Sequence, residues 1–177
     1  MSAKQDNTEA AQVEESKPAT IDLRTVDPRF PMEVAAEPGA EQLQRCFACG
    51  VCTGSCPVSE IDPRFSPSRI MRMVLLGMRD AVLGGDEIWY CAQCFSCSFH
   101  CPQEVHFADV IKALRRLAVA DGYASEAFAA SVDEVGRMTQ VLRLRLLERL
   151  VAGKQQTEPV DLKAALQEII KEEEKEA

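Results

Sequence analysis

Aromatic side chains are scarce in this 177-residue chain: one Trp, two Tyr and seven Phe, 6% of the total. Apolar residues still make up 46%, so a core can be buried. It has to come from Leu, Ile, Val, Met and Ala at helical spacing, which favours helices over a β-sandwich. Long apolar runs are missing too. Stretches such as Met73–Leu76 stop after four residues, far below the 18 or more that a membrane span needs, so no transmembrane segment is expected. The polar opening, residues 1–16, lacks the apolar stretch of a secretory signal, and a cytoplasmic chain is expected. Excess positive charge is absent. Acidic residues number 28 against 20 basic ones, a net charge of −8, which argues against nucleic acid, because phosphate binding needs clustered Lys and Arg.

The charge is uneven. Residues 1–45 carry +5 and −9, residues 46–123 carry +7 and −8, and residues 124–177 carry +8 and −11. The ends are acidic and solvating and the middle is nearly neutral. All eight cysteines lie in that middle, in two copies of one spacing. Residues 46–57 read CFACGVCTGSCP and residues 91–102 read CAQCFSCSFHCP, offset by 45 at every cysteine.

Three chemistries compete for such a pattern. Disulfides suit small secreted scaffolds, and this chain has neither an export signal nor a need for staples in its helical stretches. Sulfurs three residues apart would also close very small rings, which restrict the unfolded chain little. Zinc takes four thiolates tetrahedrally, generally two from each of two C-x2-C knuckles, and has no use for three cysteines at strict intervals of three. The run C-x2-C-x2-C-x3-C-P is instead the bacterial ferredoxin signature of a cubane [4Fe–4S] cluster. Three cysteines on a tight loop wrap three corners of the cube, and Gly50 and Gly54 permit close backbone approach. The fourth, followed by Pro, ligates the other cluster in two-cluster ferredoxins. The spacing therefore predicts two [4Fe–4S] clusters with crossed ligation: Cys46, Cys49, Cys52 and Cys101 for the first, and Cys91, Cys94, Cys97 and Cys56 for the second.

Helical signals join and follow the runs. Ser66 as N-cap and Pro67 at the first helical position open a helix expected to reach Gly84–Gly85, with Ile70, Met73, Val74, Gly77, Ala81 and Val82 on one face. A second helix starts at Phe107 and ends at Gly122. Ser125 caps a further helix over residues 126–135. Gly136 is then expected as a weak point before a stripe of Val141, Leu144, Leu147 and Leu150, widened by Leu142 and Leu146. Asp161 caps a last helix bearing Leu162, Leu166, Ile169 and Ile170. These stripes either close the core or dock a partner. The expected class is all-α, an α-helical ferredoxin. Its expected parts are a disordered or extended arm over residues 1–38, a dicluster domain over 39–123 and a helical partner-docking region over 124–177. Pro28 and Pro31 are read as keeping residues 20–34 extended. Arg69, Arg72, Arg115 and Arg116 offset cluster charge, bind an acidic partner or form a solvated helix face, the last being favoured. Trp89 and Tyr90 are expected to pack against the second cluster. His100 and His106 are expected to be bystanders, since eight thiolates already suffice.

The stretch from SPSRIMRMVLL through EIWYCAQCFSCSFHCPQEV to ADVIKALRRLA, with CFACGVCTGSCP before it, resembles the HdrC-like family of heterodisulfide reductase iron–sulfur subunits over roughly residues 42–123. The resemblance implies an electron relay without an active site of its own. It would lie between an HdrA-like flavoprotein and a catalytic HdrB-like protein with cysteine-rich CCG motifs. This chain has no adjacent cysteine pair and no nucleotide-binding glycine pattern, so it carries neither partner's machinery. A free dicluster ferredoxin, the iron–sulfur subunit of another dehydrogenase and a zinc-stabilised adaptor remain the alternatives.

Overall fold

Helices begin where the sequence offers caps and first-turn prolines, and the folding of the middle segment follows from them. The computed structural model describes residues 26–154, 161–167 and 169. Among these, every regular element is helical and no strand occurs. Helix α1 spans Phe30–Ala36, α2 Val51–Gly54, α3 Pro57–Ile61, α4 Pro67–Leu75, α5 Arg79–Leu83, α6 Ser96–His100, α7 Phe107–Ala120 and α8 Glu126–Ala152. No helix of the described residues is long and apolar enough to cross a membrane. Residues 1–25, part of the arm expected to be disordered or extended, and Ile170 with the acidic tail lie outside the described residues.

Three local expectations are corrected. Residues 30–36 form a helix rather than an extended arm. Pro31 sits in the first turn, where its missing N–H has no partner to lose, and Phe30 and Val34, one turn apart, are fully buried. The helix expected from Ser66 to Gly84 is broken. Ser66 does cap it, accepting from the Arg69 N–H, but the chain reverses at Gly77, whose φ is +74°. The Asp27 N–H donates to the Gly77 carbonyl at 2.7 Å, and a Cβ at Gly77 would lie 2.3 Å from the Asp27 carbonyl oxygen. The third correction is at Gly136, where α8 continues unbroken. One glycine costs a helix interior about 1 kcal/mol, too little to end a helix of 27 residues.

The core lies where α1, α4, α5 and α7 meet. Helix α7 supplies much of it, with Phe107, Val110, Ile111 and Leu114 buried. Arg79 ties three elements together. Its guanidinium pairs with Glu33 of α1 and with Asp121 just past α7, the latter at 2.6 Å, and lies 5.3 Å from the Phe30 ring centroid. Helix α8 contributes no buried residue. Its contact with the body is made near its start, where Phe128 meets Trp89 edge-on at 4.9 Å. The stripe from Val141 to Leu150 is exposed or half-buried and none of it joins the core. Beyond it, Asp161 accepts from the backbone N–H groups of Lys163 and Ala164, as its capping role requires, and Ala165 and Ile169 are buried outside the main hydrophobic cluster.

Candidate metal centre

The cysteine runs repeat in backbone conformation as well as in spacing. In the first, Ala48 and Gly50 have φ of 57° and 84°; in the second, Gln93 and Phe95, each 45 residues on, have φ of 52° and 61°. These left-handed residues flank the middle cysteine and bend the chain around a common point. The short helices α2 and α6 then carry Cys52 and Cys97, and the two helices pack against each other. Each run leaves through a cysteine in extended conformation, Cys56 at φ −92°, ψ 117° and Cys101 at φ −74°, ψ 116°, followed by Pro57 or Pro102. Glycine adopts the left-handed region freely, whereas Phe95 does so at a cost of about 1–2 kcal/mol. Lys112 stands 4.8 Å above the Phe95 ring, one contact holding that loop in shape.

The runs meet so that each cavity takes cysteines from both. One is lined by Cys46, Cys49, Cys52 and Cys101, with Met71, Val105 and Phe107 among its walls. The other is lined by Cys91, Cys94, Cys97 and Cys56, with Phe65, Pro67 and Phe107 among its walls. Phe107 faces both and is 2% exposed. All eight cysteines are free thiols. Cys49 and Cys94, the second cysteine of each run, are exposed and Cys97 is buried. Burial pushes the Cys52 and Cys91 thiols up and takes Cys97 to about 11. At Cys91 the backbone N–H of Gln93 and the charge of Arg115 pull the other way. The Cys101 sulfur accepts the Val105 N–H at 3.4 Å.

Each cavity gathers four cysteines, the donor number of a [4Fe–4S] cubane held by four thiolates, so the residues present fit that group. Two hydroxyls, Ser55 Oγ and Ser98 Oγ, are buried without a hydrogen-bond partner. Each belongs to the residue beside a cysteine, Cys56 and Cys97, and a buried donor without a partner wants an acceptor such as a cluster sulfur.

Other expectations fare unequally. Arg69 is half-exposed and bound to Glu87 and to the Arg64 carbonyl, Arg72 is exposed, and Arg116 pairs with Glu37. Arg115 departs from the solvated face assigned to it: it is 8% exposed and donates to three carbonyls. Trp89 packs on Phe128 and under Arg115 rather than lining the second cavity, and Tyr90 is exposed. The His100 ring meets the Ser96 carbonyl at 2.8 Å, and His106 faces Asp109; neither lines a cysteine cavity. Gly54 has open space where a Cβ would stand, so no protein neighbour demands its small size. Sequence reasoning missed the partnerless hydroxyls and the shared wall at Phe107. The serines were legible as neighbours of cysteines, but their burial was not.

Residues 42–105 match the family model of the 4Fe-4S dicluster domain. Over that stretch the chain is similar to iron–sulfur dicluster domains. The chain is 38% identical over 111 residues to the second C-type iron–sulfur subunit of the CoB–CoM heterodisulfide reductase of Methanocaldococcus jannaschii, covering 59% of each chain. It is 42% identical over 85 residues to the C-type iron–sulfur subunit of the Methanopyrus kandleri enzyme, covering 48% of this chain and 44% of that one. To the C-type subunit of the H2:CoB-CoM heterodisulfide,ferredoxin reductase of Methanothermobacter thermautotrophicus it is 34% identical over 105 residues, covering 59% of this chain and 56% of that one. The chain thus spans about half the length of the curated relatives it matches. Within that stretch the resemblance to the C-type subunits of heterodisulfide reductase holds.

Proposed function

We propose that the chain is a non-catalytic electron-transfer subunit of a heterodisulfide-reductase-like complex working in the cytoplasm. It carries two [4Fe–4S] clusters, one on Cys46, Cys49, Cys52 and Cys101 and one on Cys91, Cys94, Cys97 and Cys56. The observation that carries this reading is that each cavity draws three cysteines from one run and its fourth from the other. When bound, each cluster takes up and releases one electron at low potential. The chain's own residues hold and shield it: Met71 and Val105 wall one site, Phe65 and Pro67 the other, and buried Phe107 keeps water out of the space between them. The exposed Cys49 and Cys94 mark the faces through which electrons enter and leave.

The partners in this reading are an HdrA-like flavoprotein and an HdrB-like protein with CCG motifs, and residues 124–177 form their docking region. Supporting it is α8, which leaves Val135, Met138, Leu144 and Val151 more than half exposed while adding nothing to the core. Anaerobic purification with metal analysis and EPR before and after dithionite tests the cofactors. About eight irons and two interacting cubane signals are expected; two zincs and no signal would leave a structural adaptor. Affinity isolation from native cells tests the partners, with a flavoprotein and a CCG chain expected to co-purify. A free dicluster ferredoxin would keep all its redox function after deletion of residues 124–177, whereas a docked subunit loses its partners.

A further inference from the structure

Two loops of one spacing need not make two equal sites. Arg115 is the only buried charged side chain among the described residues. From α7 its Nε donates to the Ile88 carbonyl at 2.9 Å, and one terminal nitrogen donates to the carbonyls of Trp89 at 3.0 Å and Cys91 at 3.1 Å. Its partners are neutral oxygens, so its charge is not cancelled by an ion pair. Asp133, on α8, acts on it only across a cleft. Two buried hydroxyls, Ser55 and Ser98, are sequence neighbours of Cys56 and Cys97 of the second cavity, but neither lines it. The first cavity has no equivalent of the buried cation. Arg45 beside Cys46 is exposed and spends its charge on Glu104 and Gln42, and the Ser68 hydroxyl that lines this cavity is neutral and accepts from the Thr53 hydroxyl.

We infer that Arg115 makes the site of Cys91, Cys94, Cys97 and Cys56 the more easily reduced of the two, so that the first electron to enter rests there. The inference depends on the two-cluster reading above. A fixed cation stabilises the more negative state of a cluster, which gains one electron on reduction with no bond made or broken. Burial acts the other way, but it acts at both sites, on Cys52 in the first and on Cys91 and Cys97 in the second. The guanidinium is present at one. A nearby opposite charge shifts an equilibrium by about one to three powers of ten, and the lower figure is taken because Arg115 reaches the Cys91 carbonyl at 3.1 Å without lining the cavity.

The test is a mediator-poised redox titration followed by EPR on the loaded full chain, unaltered and as Arg115→Met, Arg115→Lys and Cys101→Ser. Two resolved midpoints are expected. Cys101→Ser should alter the lower one. Arg115→Met should depress the upper one by about tenfold or more, which is about 59 mV for a one-electron couple, and Arg115→Lys should retain most of the difference. An upper midpoint moved by Cys101→Ser overturns the inference, as does an upper midpoint unmoved by Arg115→Met. If Arg115→Met fails to fold or load, the Cys101→Ser titration still decides the order. Failure to find about eight irons in the unaltered chain refutes the cluster reading itself; eight irons with midpoints that ignore Arg115 refute only this inference.

Discussion

Crossed ligation makes a quantitative prediction about pairs of cysteine substitutions. Cys49 and Cys101 line one cavity, while Cys49 and Cys56 line different ones although they share a run. Replacing Cys49 and Cys101 by Ser leaves the first cavity two thiols and the second all four. Replacing Cys49 and Cys56 leaves each cavity three. With four irons to a cube, the first double variant should fall from about eight irons to about four and keep one complete cluster. Its reduced EPR spectrum should lose the broadening that comes from a second paramagnet nearby. The second variant removes the same number of thiols and should keep no complete cluster. Iron, sulfide and EPR on anaerobically purified protein give the readout, with far-ultraviolet circular dichroism to confirm that the helices survive in both. If the Cys49/Cys56 variant retains an intact cluster and the Cys49/Cys101 variant does not, each run ligates its own cube and the argument from the cavities is wrong.

Three further variants test the fold around the sites. Arg79→Ala should lower the unfolding free energy by about 2 kcal/mol, because a charged donor to Glu33 and Asp121 is lost from a side chain only 20% exposed; the chemical denaturation midpoint checks it. The same guanidinium holds the Glu33 carboxyl below its ordinary value. That contribution is complete above the unfolded value of about 4.3 and is lost as pH falls through the folded value, so the Arg79→Ala variant should lose less stability on acidification than the unaltered chain. Gly77→Ala forces a Cβ to 2.3 Å from the Asp27 oxygen at φ +74° and should cost more than about 2 kcal/mol, seen as a lower melting temperature; an unchanged melt would mean that residues 26–29 do not hold that turn. Phe128→Ala removes the ring contact with Trp89 at 4.9 Å, worth about 0.5–1.5 kcal/mol. It should speed proteolysis within α8 while leaving iron content unchanged.

Which parts of this were legible in the sequence follows from how locally each is determined. Ser66, Pro67 and Ser125 mark helix starts because a cap satisfies donors within its own first turn, and all of them stand where expected. The breaks were harder. Gly77 ends α4 because the backbone at Asp27, fifty residues earlier, occupies the space, a long-range fact that no local pattern carries. Gly136 looks like the same signal and has open space around it, so the helix passes through. Arg115 was misread for a related reason. Its neighbour Arg116 has the same local context but faces Glu37, and one step of about 100° around α7 separates a buried cation from a surface ion pair. The cysteines were the most legible feature, since their spacing repeats at an offset of 45, and the left-handed residues repeat at that offset too.

The exchange of fourth cysteines bears on folding as well as on ligation. A cluster held within one run would bridge residues 46–56 only. In the chain-entropy account of cross-links, a closure of about ten residues stabilises by about 2.7 kcal/mol. Under crossed ligation the bond from Cys52 to Cys101 closes 49 residues, which the same account puts at about 4 kcal/mol. The larger consequence is mechanical. Helices α2 and α6 pack against each other, but neither has a hydrophobic face of its own, Cys97 being the one buried residue they share. Clusters that each require both runs would hold α2 against α6 in place of a greasy interface. They would also keep the two redox sites at one separation, across the single ring of Phe107. Most of the core, Phe30 with Val34 on α1 and the buried face of α7, lies outside the loops, which reach it through Cys97 and Val105 and pack Cys46, Cys52, Cys56, Cys91 and Cys101 against it. Iron removal should therefore loosen residues 46–61 and 91–106 and spare α1, α4 and α7, so hydrogen exchange on the iron-free chain should accelerate in those two segments together. Acceleration in one segment alone would mean that the runs are not coupled through shared clusters.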